Sequence, residues 1–425
     1  MASLVTSKFR VHNAQQFAEA FSEASNTVMY LFIGKNTTFP NDNSPPTPVN
    51  STANIEYTPW RDMYAAKRIT TSDVTHAIER YDWTSGTVYD QYDDQDTDLL
   101  DDDFYAMTED FNVYKCLFNA GATASTTKPT GVSTSPFTTA DGYIWKYMYT
   151  VTTAKALKFL TNDYISVQTL ASDDGTDQWD VQQAAVDGGI HVVKVTAGGS
   201  GYATAPAVTI TGDGTGATAN STITANVVTA VTITAAGTGY TRASVSFASG
   251  AATANAIISP QGGHGSDAVE ELGGKFIMLN VRLDGNESNT FSVANEFRQV
   301  GIVRDPYLYG TTTRAVASSF RQSFKYQLSS ISGTFTVDET ITSGSNTASL
   351  IEFTTPSIFT TLPLNLPFAN TTSVTGGTSG ATGTIAVITT PGLKPYSGDI
   401  IYVENRVPIA RATDQIEDVK LVIQF

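Results

Sequence analysis

The hydrophobic pattern along this chain is mostly that of strands. In the closing run, Val419, Leu421, Ile423 and Phe425 alternate with Lys420, Val422 and Gln424, the period-two spacing of a strand with one buried face. An apolar end of this kind is expected to be tied down, because burying it gains about 25 cal/mol per Å² of apolar area. Asp399 to Glu404 is β-branched and aromatic and reads as another strand. Between the two, Pro408 forbids an uninterrupted ladder, and Glu404-Asn405-Arg406 mixes charge with turn chemistry. Thr27 to Ile33 is a continuous apolar run stopped by Gly34, as expected of a strand covered on both faces. Tyr143, Trp145, Tyr147 and Tyr149 fall on one face of a strand, opposite Ile144, Lys146 and Met148. Packing between sheets explains this aromatic row with fewer assumptions than sugar or base stacking, since no Lys or Arg cluster surrounds it.

Helical spacing is confined to short stretches. Residues 1–34 read as strand, helix and strand, with Asn13 as the N-cap and Phe17, Ala20, Phe21 and Ala24 as one apolar stripe. Val74, Ala77 and Ile78 predict a short helix around 73–81, and Ala154 to Leu160 predicts another. Residues 35–56 form a loop stiffened by Pro45, Pro46 and Pro48. From 187 to 262 the composition shifts to Gly, Ala, Thr and Val, and a unit ending Gly198-Gly199-Ser200-Gly201-Tyr202 recurs as Ala236-Gly237-Thr238-Gly239-Tyr240. The two tyrosines lie about 38 residues apart, so one small β module built from paired units is expected. Framework strands resume at Lys275 to Leu283 and Glu296 to Val303, and a second Gly/Thr-rich block at 328–394 reads as hairpin-like surface decoration.

These elements predict a β-rich α+β fold. A discontinuous α/β framework comes from both termini, joined by antiparallel β-sandwich-like material and inserted small β modules. The expected segments are 1–83 (framework), 84–186 (sandwich-like), 187–262 (repeat module), 263–327 (framework return), 328–394 (second insert) and 395–425 (closing framework strands).

Charge and chemistry narrow the function classes. The net charge of -16 argues against a phosphate backbone as partner, since neutralising phosphates needs clustered Lys and Arg. The opening residues lack an apolar h-region and no run approaches about 18 apolar residues, so neither a secretion signal nor membrane insertion is expected. Cys116, the one cysteine, has no internal disulfide partner and reads as a small buried hydrophobe on a strand. Asp94, Asp96 and Asp98 have calcium-loop spacing, but Leu99 stands where the sixth position needs Gly and Tyr105 where the twelfth needs Glu. The acidic stretch from Asp90 to Asp110 is therefore read as a solvated loop or a surface for a basic partner subunit, with adventitious or structural cation binding as the lesser alternative. Gly212-Asp213-Gly214-Thr215-Gly216 lacks the following helix of a phosphate-cradling loop and reads as a β-turn, and His264, between glycines, reads as a turn residue rather than a metal ligand. Four histidines, no Gly-x-Ser-x-Gly, no Walker lysine and no His-Glu-x-x-His leave few means for nucleophilic or metal chemistry. No catalytic, cofactor-binding or metal-ligating residue is assigned, no cofactor is expected, and the chain is read as non-enzymatic. Two carboxylates meeting across a cleft, as in glycosidases, stay open at this level.

Several short motifs occur in one order: Val5-Thr6-Ser7-Lys8-Phe9-Arg10, Arg80-Tyr81-Asp82-Trp83, Val113-Tyr114-Lys115-Cys116-Leu117, Gly142-Tyr143-Ile144-Trp145-Lys146-Tyr147, Asn162-Asp163-Tyr164-Ile165, Phe297-Arg298-Gln299-Val300, and the end from Tyr396 to Phe425 with Asp414-Gln415. Together they resemble the small baseplate wedge subunit of T-even-type contractile-tailed phages. The resemblance covers residues 1–170, about 263–306 and 396–425, while the two Gly/Thr-rich blocks have no counterpart. It implies a structural protein of the virion tail baseplate, assembled in the host cytoplasm. Its members pair as homodimers and bind other wedge subunits, fixing geometry through large interfaces while the baseplate rearranges. The inserts are left open between a neighbouring subunit, proximity to the host surface and solvent. The alternative class is a tail-associated carbohydrate-binding or depolymerising protein, raised by the aromatic row and the β-rich inserts. A host surface adhesin would need an export signal, which is not visible.

Overall fold

The computed structural model describes residues 3–23, 27–293, 295–365, 367–412 and 414–425, and Ala24 of the expected helical stripe lies outside them. The fold is β-rich α+β, with antiparallel sheets and short helices. The chain forms two compact units and passes between them after Gln16, Val74, Met278 and Leu421. One holds Thr75–Met278 with both chain ends, and the other holds Phe17–Val74 and Leu279–Leu421.

In the second unit, five antiparallel strands run in the order Ser319–Arg321, Met63–Arg68, Met29–Gly34, Glu296–Arg304 and Asp399–Ala410. Every residue of Met29–Gly34 is buried, as its unbroken apolar run predicts for a strand with both faces covered. Its neighbour Glu296–Arg304 is also an inner strand of the sheet, so early, middle and late parts of the chain share one ladder. Gly301 makes the close approach possible. A Cβ there would sit 2.3 Å from Phe32 Cζ and 2.4 Å from Tyr402 O. Tyr30, Phe32, Trp60, Met63 and Val303 form the core on this sheet. The strand Asp399–Ala410 continues past the expected turn at 404–406. Pairing instead jumps from Gln299↔Asn405 to Phe297↔Ile409, leaving Arg406 to Pro408 as a bulge where proline cannot donate to the ladder.

The second insert is more than decoration. Phe324–Ser332, Ser357–Thr360, Asn346–Thr354, Thr340–Ser343, Ser373–Gly376 and Thr382–Thr389 close into a six-stranded barrel. Its interior is its own core, including Phe324, Tyr326, Ile341, Leu350, Ile358 and Val374. Closure removes the unpaired edges that open hairpins would expose.

In the first unit, Tyr105–Met107, Asn112–Phe118, Ile144–Thr150 and Phe137–Thr138 form a four-stranded antiparallel sheet buried on both faces. The aromatic row divides. Tyr143, Trp145 and Tyr147 pack with Tyr89 and Tyr114, whereas Tyr149 joins Met148 in the opposite cluster. The cause is a register shift at Val113/Tyr114, which pairs Val113 with Tyr149 but Tyr114 with Tyr147.

Two helix expectations are corrected. Residues 73–81 hold the strand Val74–Glu79, paired with Tyr164–Val167, because β-branched Val74, Thr75 and Ile78 suit a pleated, two-sided burial. At the start of the chain, the helix Ser7–Glu19 replaces the expected first strand, which puts Asn13 inside it rather than at its N-cap. Val11 and Ala14, three apart, are its buried residues, while Val5 and Phe9 are exposed. The closing strand Glu417–Gln424 buries Val419 and Leu421, and Phe425 N donates to Lys275 O at 3.0 Å.

The repeat module pairs its copies strand by strand. Ile190–Ala197, Val208–Gly212 and Thr215–Thr224 of the first copy pair with Thr253–Ile258, Ala243–Phe247 and Val227–Thr238 of the second. Each sheet takes one strand from each copy, so neither copy can bury its face alone. Tyr202 and Tyr240, the repeating tyrosines, are both buried, and their hydroxyls accept from Ala252 N at 2.9 Å and Ala217 N at 3.3 Å.

Candidate functional site

The repeat module's first and fourth strands, Ile190–Ala197 and Val227–Thr238, occupy equivalent places in the two copies. Backbone hydrogen bonds tie them at both ends: Val228 N to Gly198 O at one, and Gly239 N to Asp187 O with Tyr240 N to Gly188 O at the other. A groove of about 990 Å³ runs along them, lined by His191 to Val195 and by Thr229 to Ala236. Each is paired with one neighbour, the strands Thr253–Ile258 and Thr215–Thr224, and the other edge of each carries no ladder.

The opposite wall is the acidic loop with Phe118, Asn119 and Pro136. Asp90, Asp93 and Asp96 line the groove. Asp93 pairs with Lys194 at 3.2 Å. Asp94 Oδ1 accepts from Ile258 N, and Tyr92 Oη donates to Ile258 O, so the loop is anchored to the repeat module. Asp90 N donates to Asp103 Oδ1 at 3.4 Å. Burial, with the nearby Asp90 carboxyl, pushes the Asp103 carboxyl up to about 6.

Behind His191 lies a buried ionic cluster that the sequence did not announce. The His191 and His264 rings are 5.6 Å apart between centroids. Lys115 Nζ lies 3.2 Å from His264 Nδ1, donates to Glu271 Oε2 at 2.9 Å, and sits 4.1 Å from the centre of the Tyr92 ring. Glu271 Oε1 accepts from Gly265 N and Asp267 N. The Lys115 and Glu271 side chains are 0% and 2% exposed. Lys146 Nζ donates to Thr134 O nearby, and burial holds its ammonium down at about 8. Burial and the surrounding Lys115, His191 and Lys146 hold His264 well below the usual imidazole range. It is therefore neutral, with Nδ1 accepting from Lys115 and the proton on Nε2. A lysine held by a carboxylate and an imidazole, closed to solvent, ties its strand to the segment 264–271.

His264 thus stands in a turn, as expected, but as a buried member of this cluster. Lys115 and Lys146 are polar residues inside otherwise apolar strands, and that interruption is the signal that could have found them. Cys116 is buried on its strand, and burial pushes its thiol up. Gly212 to Gly216 spans a bend between two strands, at which Asp213 accepts from Thr241 N and Arg242 N. Asp94, Asp96 and Asp98 bond within their loop and to Ile258. Among the described residues, no three His, Cys, Asp or Glu side chains converge as a metal site needs. No helix among them is long and apolar enough to cross a membrane.

The two histidines give the fold an acid limit. Burial and Lys146 depress His191 to about 4 from an ordinary 6.5, so its stabilising neutral state is fully present above pH 6.5 and is lost as pH falls toward 4. Urea unfolding at pH 7.5 and 4.5 should show His191→Asn losing less stability on acidification than the parent, by up to about 3 kcal/mol. His264 keeps some of the fall in both proteins.

No family model and no curated protein matches the chain.

Proposed function

We propose that the chain is a structural, non-enzymatic subunit of a contractile phage tail baseplate wedge, holding neighbouring wedge proteins through protein interfaces during assembly and rearrangement. The observation that carries this reading is how the motifs behind the resemblance meet in space. Arg80 N donates to Asp163 O, joining the second motif to the fifth. Cys116 pairs with Trp145 across adjacent strands, joining the third to the fourth. Gln299 Nε2 donates to Asn405 Oδ1 at 2.9 Å, joining the sixth to the closing segment. The carbohydrate reading loses its main support, since Tyr143, Trp145, Tyr147 and Tyr149 are all buried and unavailable to stack on a sugar.

An amber mutation in the gene tests the proposal. Lysates from a non-suppressing host should contain heads and incomplete baseplates without assembled tails in negative-stain images. Complete, infective tails made without the chain would contradict it.

A further inference from the structure

We infer that the outer face of the six-stranded barrel is a docking site for an acidic segment of a partner protein, whose carboxylates meet Arg321 and Lys325 beside the half-buried ring of Phe359. Strand register builds the site. Phe324, Tyr326 and Leu328 fill the barrel, so Lys325 among them faces outward, and Phe359 faces outward next to the inward Ile358. Across four neighbouring strands, one outward row reads Thr389, Lys325, Phe359 and Glu352. Lys325 Nζ lies 5.5 Å from the centre of the Phe359 ring. Arg321 Cζ reaches the same ring at 5.6 Å from the edge strand of the five-stranded sheet. These two are the only Lys or Arg between Arg314 and Lys394, and the fold gathers both onto one ring.

Two observations point to an anion. The first is charge without neutralisation: among the described residues, neither Arg321 nor Lys325 makes a hydrogen bond or an ion pair. Glu352 stands on the far side of Phe359 from Lys325, two strands or about 10 Å away, and accepts from Thr354 Oγ1 at 2.9 Å. Asp338 and Glu339, the other acidic residues between Arg314 and Lys394, accept from Asn36 and from Thr336, Thr378 and Ser379. The second is desolvation: Arg321 Nε is buried without a hydrogen-bond partner, and burial pulls its guanidinium below the ordinary arginine range. A cation already stripped of part of its water loses less on meeting a carboxylate, whose two oxygens match the guanidinium fork. Two cations are too few to hold a phosphate backbone against a net charge of -16. The fit is an Asp- or Glu-bearing segment of a different protein, and the inference rests on the assembly reading only in making that protein a neighbouring subunit.

The test uses the full chain and two rhodamine-labelled decapeptides, alternating Glu-Ala and alternating Gln-Ala, in an anisotropy titration. The chain as a whole repels acidic peptides, so preference for Glu-Ala has to come from a local site. Glu-Ala should bind at least tenfold more tightly than Gln-Ala, and R321Q/K325Q should remove that difference while R242Q, at an exposed arginine, keeps it. In the unaltered protein, Glu-Ala should slow acetylation of Lys325 by acetic anhydride and leave Lys394 unchanged, a readout that needs no variant. Equal binding of the two peptides, no binding, or unchanged acetylation of Lys325 would overturn the inference. So would displacement of the peptide by inorganic phosphate far below the acetate concentration that displaces it, which would mean a phosphate site. A dimer in light scattering that R321Q/K325Q dissolves would overturn it too, because the face would then meet a second copy of this chain. Failure here leaves the amber phenotype as a separate test of the assembly role.

Discussion

Glu271→Gln is expected to destabilise the protein by about 3–5 kcal/mol, because it leaves the Lys115 ammonium buried without its carboxylate. The glutamine keeps the shape and an oxygen for Gly265 N and Asp267 N, so the loss isolates the ion pair. Adding Lys115→Met should return most of that stability, since a buried pair replaced by a neutral, packed pair is often no worse than the original. Urea unfolding of the two single variants and the double variant forms the cycle that measures this. Additive losses would mean that the two side chains do not act as a pair.

The second large effect is at Gly301. Gly301→Ala should cost roughly 1–3 kcal/mol and Gly301→Val more, because the new atoms meet the Phe32 ring on one side and the Tyr402 carbonyl on the other. Phe32→Leu in the same chain should recover part of the loss and no more. The ring can retreat, but Tyr402 O belongs to the neighbouring strand. Thermal unfolding of the three variants tests the order, and a neutral Gly301→Val would mean that the inner strands are farther apart than described.

Much of this architecture is legible in the sequence wherever one residue type repeats at one spacing. The unbroken run from Thr27 to Ile33 announces an inner strand, and the matching Gly-Tyr endings at 202 and 240 announce a two-copy module. Legibility fails where two periods fit the same residues. Val74, Ala77 and Ile78 satisfy helical spacing, yet β-branching and a partner strand at 164–167 decide for a strand. It fails again where one bulge reassigns faces, as with Tyr149, and where closure depends on pairings between distant strands, as in the barrel. The ionic cluster is the hardest case. Lys115, His191, His264 and Glu271 lie far apart in sequence, and only the packing of the four-stranded sheet, the repeat module and the turn at 264 joins them. The groove shares that origin: its acidic wall was visible as composition, but the pair of strands opposite it was not.

The role proposed for the chain is that of a brace among the proteins of a contractile tail. A cryo-electron-microscopy reconstruction of the assembled contractile tail tests that most directly. It should contain this chain in symmetry-related copies within the baseplate, each in contact with other subunits. A complete baseplate with no density for it, or copies confined to receptor-binding fibre tips, would contradict the account.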